Sequence, residues 1–175
     1  MTGVQTCALP IWKKSEEEVN KLQKGVEQSP ASIIITNING TIEYVNPKFC
    51  EVTGYSREEV VGHNPRILKS GDKKSADYKL MWETLNAGNE WRGEFYNVKK
   101  NGDKYWESAS ISPIRDRNGK TTHFVAVKED ITQMKLAKDK QQTQKNELEQ
   151  MNKLMIGREL KMAELKKEIE ALKKN

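Results

Sequence analysis

The stretch GHNPRILKSG, Gly62 to Gly71, gathers residue types that hold an anion. Asn64, Arg66 and Lys69 surround an Ile-Leu pair, with a glycine at either end. In one reading the three polar side chains face a pocket whose ligand carries a phosphate, and Arg66 binds that phosphate. In the other reading Pro65 starts a helical turn, Ile67 and Leu68 pack inward, and the cations are solvated. Both readings stay open on the residues alone.

Elsewhere the chain is poor in groups that make and break bonds. Cys7 and Cys50 are the only thiols, and their spacing suits neither a disulfide framework nor a metal. The reading is reduced cysteines in a cytoplasmic protein. His63 in a loop and His123 on a strand are the only imidazoles. They form no Cys/His cluster of the kind that binds zinc. The helix SADYKLMWETLNAG carries no histidine to ligate a haem iron. No histidine follows His123, so an autokinase would lack its phosphoacceptor, and no Gly-rich phosphate loop appears. No Ser-His-acid set points to a hydrolase. The sequence therefore reads as non-enzymatic, with no catalytic residue, haem or metal.

The 175 residues are 35% hydrophobic and 31% charged, so part of the chain lies outside any core. The net charge of +5 comes from lysines interspersed with glutamates. That pattern is a solvated surface and not a nucleic-acid patch. No apolar run is long enough to span a membrane. Residues 1–12 show no period and read as an artefactual or disordered tail. Met1 to Ile11 resemble the in-frame translation of a short sequencing adapter, which makes truncation of the natural chain credible.

Three segments must position the polar loop. Residues 13–29 read as a helix: Ser15 and Glu18 form a capping box, and Val19, Leu22 and Val26 follow at helical spacing. Residues 30–131 are mixed. SIIIT and TIEYVN flank Asn39-Gly40, a strong hairpin signal. SREEV carries a second capping box, Ser56 with Glu59. A helix runs from about Ser75 to Gly88 with Leu80, Met81, Trp82 and Leu85 on one side. Strands follow at Trp91 to Lys99, Lys104 to Ile114 and Thr121 to Glu129, joined by Asn101-Gly102 and Asn118-Gly119. This order predicts an α+β domain, an antiparallel five-stranded sheet with helices on one face.

Residues 132–175 read as one long helix. Met134, Ala137, Gln141, Gln144, Leu148, Met151, Met155, Arg158, Met162, Leu165, Ile169 and Leu172 alternate steps of three and four, the heptad spacing. At about 1.5 Å per residue the seam is roughly 58 Å long, too long to bury on a domain of this size. It predicts a parallel homodimer, with the N-terminal helix as a further possible contact. Gln141, Gln144 and Arg158 weaken the seam, and Gly157 is a weak point in the helix.

The middle segment resembles a PAS domain, a sensory module of many bacterial signalling proteins. The resemblance rests on SPASIIITNINGTIEYVNPKFCEVTGYSREEVVGHNPRILKSG, WRGEFYNVKKNGDKYWESASISPIRDRNGK and FVAVKEDIT, with the closing DIT a frequent end of the fold. The tail is similar to the coiled coils that follow such domains. Two flavin-binding branches are informative. In the light-oxygen-voltage photoreceptors the loop has an Asn-Cys-Arg core whose cysteine bonds the flavin in light. Here it reads Asn64-Pro65-Arg66, and proline has no thiol. The resemblance places Asn64 and Arg66 on a flavin ring and phosphate, Lys69 on the flavin chain, and Asn97 on the ring. Glu107 stands where a second ring-binding asparagine would be, and Lys128 where the switching glutamine would be. Buried on adjacent strands, these two could pair with each other or meet a polar ligand edge. The FAD-containing redox sensors of nitrogen-fixation regulation also lack the cysteine. Trp82, Trp91, Gly93 and Asn97 match them, so the resemblance implies FAD ahead of FMN.

Three functions follow as expectations. The chain is a sensory and dimerisation module that passes a pocket state into a coiled coil. Alternatively it is the input piece of a larger sensor kinase or other signalling enzyme. Or it is a structural dimer whose pocket its own side chains fill.

Overall fold

The computed structural model describes residues 8–71 and 75–172. Cys7 and most of the adapter-like stretch lie outside the described residues. The chain divides into two units, Met1–Thr132 and Gln133–Asn175.

The first helix, α1, spans Ala8–Glu27. It starts ahead of the expected position, so Ser15 sits inside the helix and caps nothing. Ser and Glu three apart are compatible with a helix interior as well as with an end, and here the residues before Ser15 continue the helix. Strands β1 (Ser32–Asn37) and β2 (Ile42–Val45) form the expected hairpin. Asn37 Oδ1 accepts from the Asn39 and Thr41 amides, which folds the turn. Gly40 takes φ +77°, a left-handed conformation that L side chains rarely adopt.

Short helices α2 (Pro47–Thr53) and α3 (Arg57–Val60) follow. Asn46 caps α2 and is fully buried. Its Oδ1 accepts from the Ile33 and Phe49 amides, and its Nδ2 donates to the Val26 and Ala31 carbonyls. One side chain thus ties the end of α1, the start of β1 and the start of α2, with each of its polar atoms partnered. The Ser56–Glu59 capping box forms at α3. Pro65–Leu68 makes a single 3₁₀ turn capped by Asn64.

Helix α4 covers Ser75–Asn86. Met81 and Leu85, 7% and 2% exposed and four apart on one face, are buried, with Tyr78 and Trp82 partly buried beside them. Leu80 is 60% exposed and does not belong to that face, contrary to the sequence reading. Strands β3 (Trp91–Val98), β4 (Lys104–Arg115) and β5 (Thr121–Asp130) complete an antiparallel sheet of order β2-β1-β5-β4-β3.

The order puts β1 and β5 side by side in the middle. Ser32, where the domain starts, pairs with Lys128 near its end. Alternation decides which residues face inward: Tyr105, Glu107 and Ala109 on β4, and Phe124, Ala126 and Lys128 on β5, are all buried. The core forms two clusters. One joins Ile34, Ile42, Val45, Phe49, Val60 and Leu68. The other joins Met81, Leu85, Trp91, Phe95, Ala109 and Phe124. Cys50 packs beside the first as a partly buried side chain.

Helix α5 is a single helix, Thr132–Leu172. Its seam residues Leu148, Met151, Met155, Met162, Leu165 and Ile169 are exposed over 43–60% of their surface.

Candidate functional site

Between the two core clusters lies a cavity of about 370 Å³. Its walls come from β1 (Ile34, Thr36), α4 (Tyr78, Met81, Trp82, Leu85) and the inward faces of β3, β4 and β5 (Phe95, Ile111, Phe124). Trp82 meets Phe124 edge-on with ring centroids 5.9 Å apart, a favoured aromatic geometry.

The floor is polar. Glu107 is 3% exposed and Lys128 is 7% exposed, and the Lys128 ammonium donates to Glu107 Oε1. Asn97 Nδ2 donates to the same oxygen at 2.8 Å, and Tyr105 Oη donates to Oε2 at 3.1 Å. Three donors therefore satisfy one buried carboxylate. Burial, and next the adjacent Glu107 charge, push the Tyr105 phenol far above its ordinary range. Lys128 Nζ also lies 5.4 Å from the Phe95 ring centroid. Of this group, Asn97 and Lys128 reach the cavity surface, with Glu107 and Tyr105 outside the lining.

The mouth is cationic. Asn64 Oδ1 caps the 3₁₀ turn by accepting from the Arg66 amide, and it also accepts from Arg66 Nε. Asn64 Nδ2 donates to the Gly40 carbonyl at 2.9 Å. Asn64 is thus occupied with holding the loop to the β1–β2 turn. Leu68 is buried while Arg66 and Lys69 are exposed, as the packing reading of this loop has it. Both cations nonetheless border the cavity. Lys69 pairs with Asn97 in an isolated bridge and stacks over Tyr78.

Six of the eight residues singled out from the sequence therefore line one cavity: Asn64, Arg66, Lys69, Trp82, Asn97 and Lys128. Glu107 lies behind the floor. Trp91 does not line the cavity: it packs on Phe95, centroids 5.1 Å apart, and covers Gly93. The sequence reading missed Tyr105, whose hydroxyl is aimed at Glu107 by the two-residue repeat of β4. Among the described residues, no cysteine and no histidine lines the cavity.

A second polar group sits where β5 ends. Asp130 Oδ1 accepts from the Thr132 amide, and Lys99 Nζ lies 3.3 Å from Asp130 Oδ2. Burial pushes the Asp130 carboxyl up, but the Thr132 hydrogen bonds and the Lys99 ammonium outweigh it and hold it below its ordinary value. The Trp106 amide donates to Thr132 Oγ1, and the Ile131 amide to the Trp106 carbonyl, both at 2.9 Å. Trp106 and Glu107 are neighbours on β4, so the cavity floor and the start of the C-terminal helix are held by consecutive residues.

Among the described residues, no helix is long and apolar enough to cross a membrane, and no cluster of His, Cys, Asp and Glu could hold a metal ion.

The family model for the PAS domain matches residues 30–133, more than half of the chain, and the protein belongs to this family of sensory modules. A nitrogen fixation regulatory protein from Klebsiella oxytoca is 36% identical over 107 residues, covering 61% of this chain and 22% of the relative. A blue-light-activated histidine kinase from Brucella anthropi is 29% identical over 134 residues, covering 75% of this chain and 27% of the relative. The chain thus spans about a quarter of the length of these curated relatives. Among solved structures, the LOV domain of a blue-light activated histidine kinase from Erythrobacter litoralis superimposes with a TM-score of 0.56 at 28% identity, covering 60% of this chain and 99% of that one. An RNA-binding light-oxygen-voltage receptor shares the fold, with a TM-score of 0.66 at 22% identity over 82% of this chain and 39% of that one.

Proposed function

We propose that this PAS domain is a sensor whose cavity takes a flavin, and that the state of the cavity passes into a parallel dimer of α5. The observation that carries the reading is the cavity itself, with apolar aromatic walls, a polar floor and a cationic mouth. Its volume of about 370 Å³ lies within the roughly 300–1,000 Å³ of small-molecule sites.

The donor set fits the cofactor that the resemblance implies. Asn97 brings an amide, with an oxygen that can accept, to the cavity surface, and Lys128 has N–H donors beyond the one given to Glu107. An acceptor beside donors complements the alternating N–H and carbonyl edge of a flavin ring. Arg66 and Lys69 place positive charge where a phosphate tail would leave the cavity. Trp82 and Phe95 would flank the ring. The floor is neutral as a pair, so a neutral ring enters without an uncompensated charge. A bound flavin would supply redox and blue-light absorption chemistry. With Pro65 in the loop and no cysteine among the described residues that line the cavity, none of these residues offers a thiol to bond it. FAD ahead of FMN follows the likeness to the cysteine-less redox sensors.

The coupling route runs through β4. A change in what Lys128 and Asn97 contact alters the donors on Glu107. The preceding residue, Trp106, holds Ile131 and Thr132. A ligand shifts such an equilibrium only by its differential affinity for the two states. Output would be delivered by a signalling partner or by a further domain.

Titrating the full chain with FAD and FMN while following tryptophan fluorescence tests the pocket. The account predicts saturable quenching, weakened about tenfold in Arg66→Ala/Lys69→Ala, the size of one lost charge-assisted contact. Fluorescence unaffected by either flavin, in a folded protein, would rule the flavin reading out. It would leave a self-filled or otherwise liganded pocket and a structural dimer.

A further inference from the structure

The charges that flank the α5 seam carry an inference that rests on the parallel-dimer reading. With Met134, Gln141, Leu148, Met155 and Met162 at position a, and Ala137, Gln144, Met151, Arg158 and Leu165 at position d, the e and g positions follow by counting. In a parallel pair each g residue faces the e residue of the following heptad on the partner helix, and these contacts set partner choice.

Two of those contacts oppose like charges. Lys140 faces Lys145 of the partner subunit, and Lys161 faces Lys166 of the partner subunit. Symmetry repeats both. The other g-to-e contacts within residues 133–167 are Gln133 with Lys138, Glu147 with Asn152, and Leu154 with Glu159. None of them joins opposite charges. Arg158 at d meets its own copy in the seam. On its own helix Lys145 has only a loose pair, 3.9 Å to Glu149. All four lysines are exposed, and the long Lys145–Glu149 contact neutralises little of the charge on the rim. The apolar layers at Leu148, Met151, Met155, Met162 and Leu165 favour association while the rim opposes it.

We infer that α5 is a charge-frustrated parallel dimer, kept weak by the Lys140–Lys145 and Lys161–Lys166 contacts and tightened when ionic strength screens them. A dimer poised in this way responds to a small bias from the domain, because modest differential free energies move an equilibrium only when it lies near balance.

Sedimentation equilibrium of the full chain tests this. Raising ionic strength from about 0.1 M to about 1 M shortens the screening length from about 10 Å to about 3 Å. The dimer should tighten over that range, opposite to one held by salt bridges. Lys140→Glu/Lys161→Glu and, separately, Lys145→Glu/Lys166→Glu each turn the repulsive contacts attractive. Each double variant should dimerise at least about tenfold more tightly at low salt, and its salt dependence should reverse. The quadruple variant restores like charges and should fall back towards the wild type. Monotonic tightening from wild type through double to quadruple would show a net-charge effect and overturn the pairing. Dimers indifferent to salt and to all the variants would overturn it too. Monomers in every form and at every salt concentration would refute the coiled-coil reading itself.

Discussion

Lys128→Met isolates the buried pair on which the cavity floor depends. The Lys128 and Glu107 side chains are 8% and 4% exposed. Removing the ammonium leaves a buried carboxylate with only the Asn97 and Tyr105 donors. Breaking a buried pair from one side costs roughly 3–5 kcal/mol. The two remaining donors argue for the lower end, about 3 kcal/mol. For a domain of about 100 residues this is a drop of roughly 12–24 °C in melting temperature, at about 4–8 °C per kcal/mol. Circular dichroism melts and urea unfolding of the full chain measure it. Lys128→Met/Glu107→Leu removes the uncompensated charge and should recover part of the loss, the gain being limited because the Asn97 and Tyr105 donors lose their acceptor. A single variant that costs under about 1 kcal/mol would refute the reasoning, since the surrounding median for an exposed pair is of that size. So would a double variant no more stable than the single.

Gly40→Ala should destabilise the domain by about 1–3 kcal/mol: φ is +77°, and a Cβ would stand 2.8 Å from Asn64 Nδ2 and 3.3 Å from the Trp82 ring. Thermal melts check the stability, and altered tryptophan emission would report the displaced Trp82. Asp130 carries a pH dependence. Its folded value is depressed, so its contribution is present above the unfolded value of about 3.9 and is lost as pH falls through the folded value. Melting temperature against pH should show that acid loss in the wild type, reduced in Asp130→Asn, which keeps a capping oxygen without the charge. A chain cut after Lys140 should remain folded but associate more weakly than the full chain. Light scattering against concentration decides this, and equally tight dimers after the cut would move the interface away from α5.

Local chemistry made much of the fold legible. Asn39-Gly40 and the Asn-Gly steps before β4 and β5 require turns that few residues allow, and the strands follow from their flanks. The Ser56–Glu59 box marked α3 because the next residues leave the helix soon after. The same pattern at Ser15 and Glu18 misled, since the residues ahead of Ser15 are helical too. Leu80 is apolar like its neighbours, yet it is exposed, and Tyr78, Met81, Trp82 and Leu85 form the side of α4 that meets the sheet and cavity. Asn46 before Pro47 signals a cap, but the bonds that tie it to Val26, Ala31 and Ile33 depend on tertiary placement. The floor was legible only through the family resemblance. Glu107 and Lys128 lie on different strands, and only the β4–β5 register, which sets Ala109 against Lys128, brings them together. Tyr105 had no signal beyond its alternation with Glu107.

The visible absorption spectrum of the freshly purified full chain, before and after adding FAD, decides whether the cavity takes a flavin. The account predicts a structured flavin band in the blue, present at once or gained on adding FAD and kept through gel filtration, and lost in Asn97→Ala/Lys128→Met. A spectrum holding only the tryptophan and tyrosine band, unchanged by FAD after gel filtration, would contradict it.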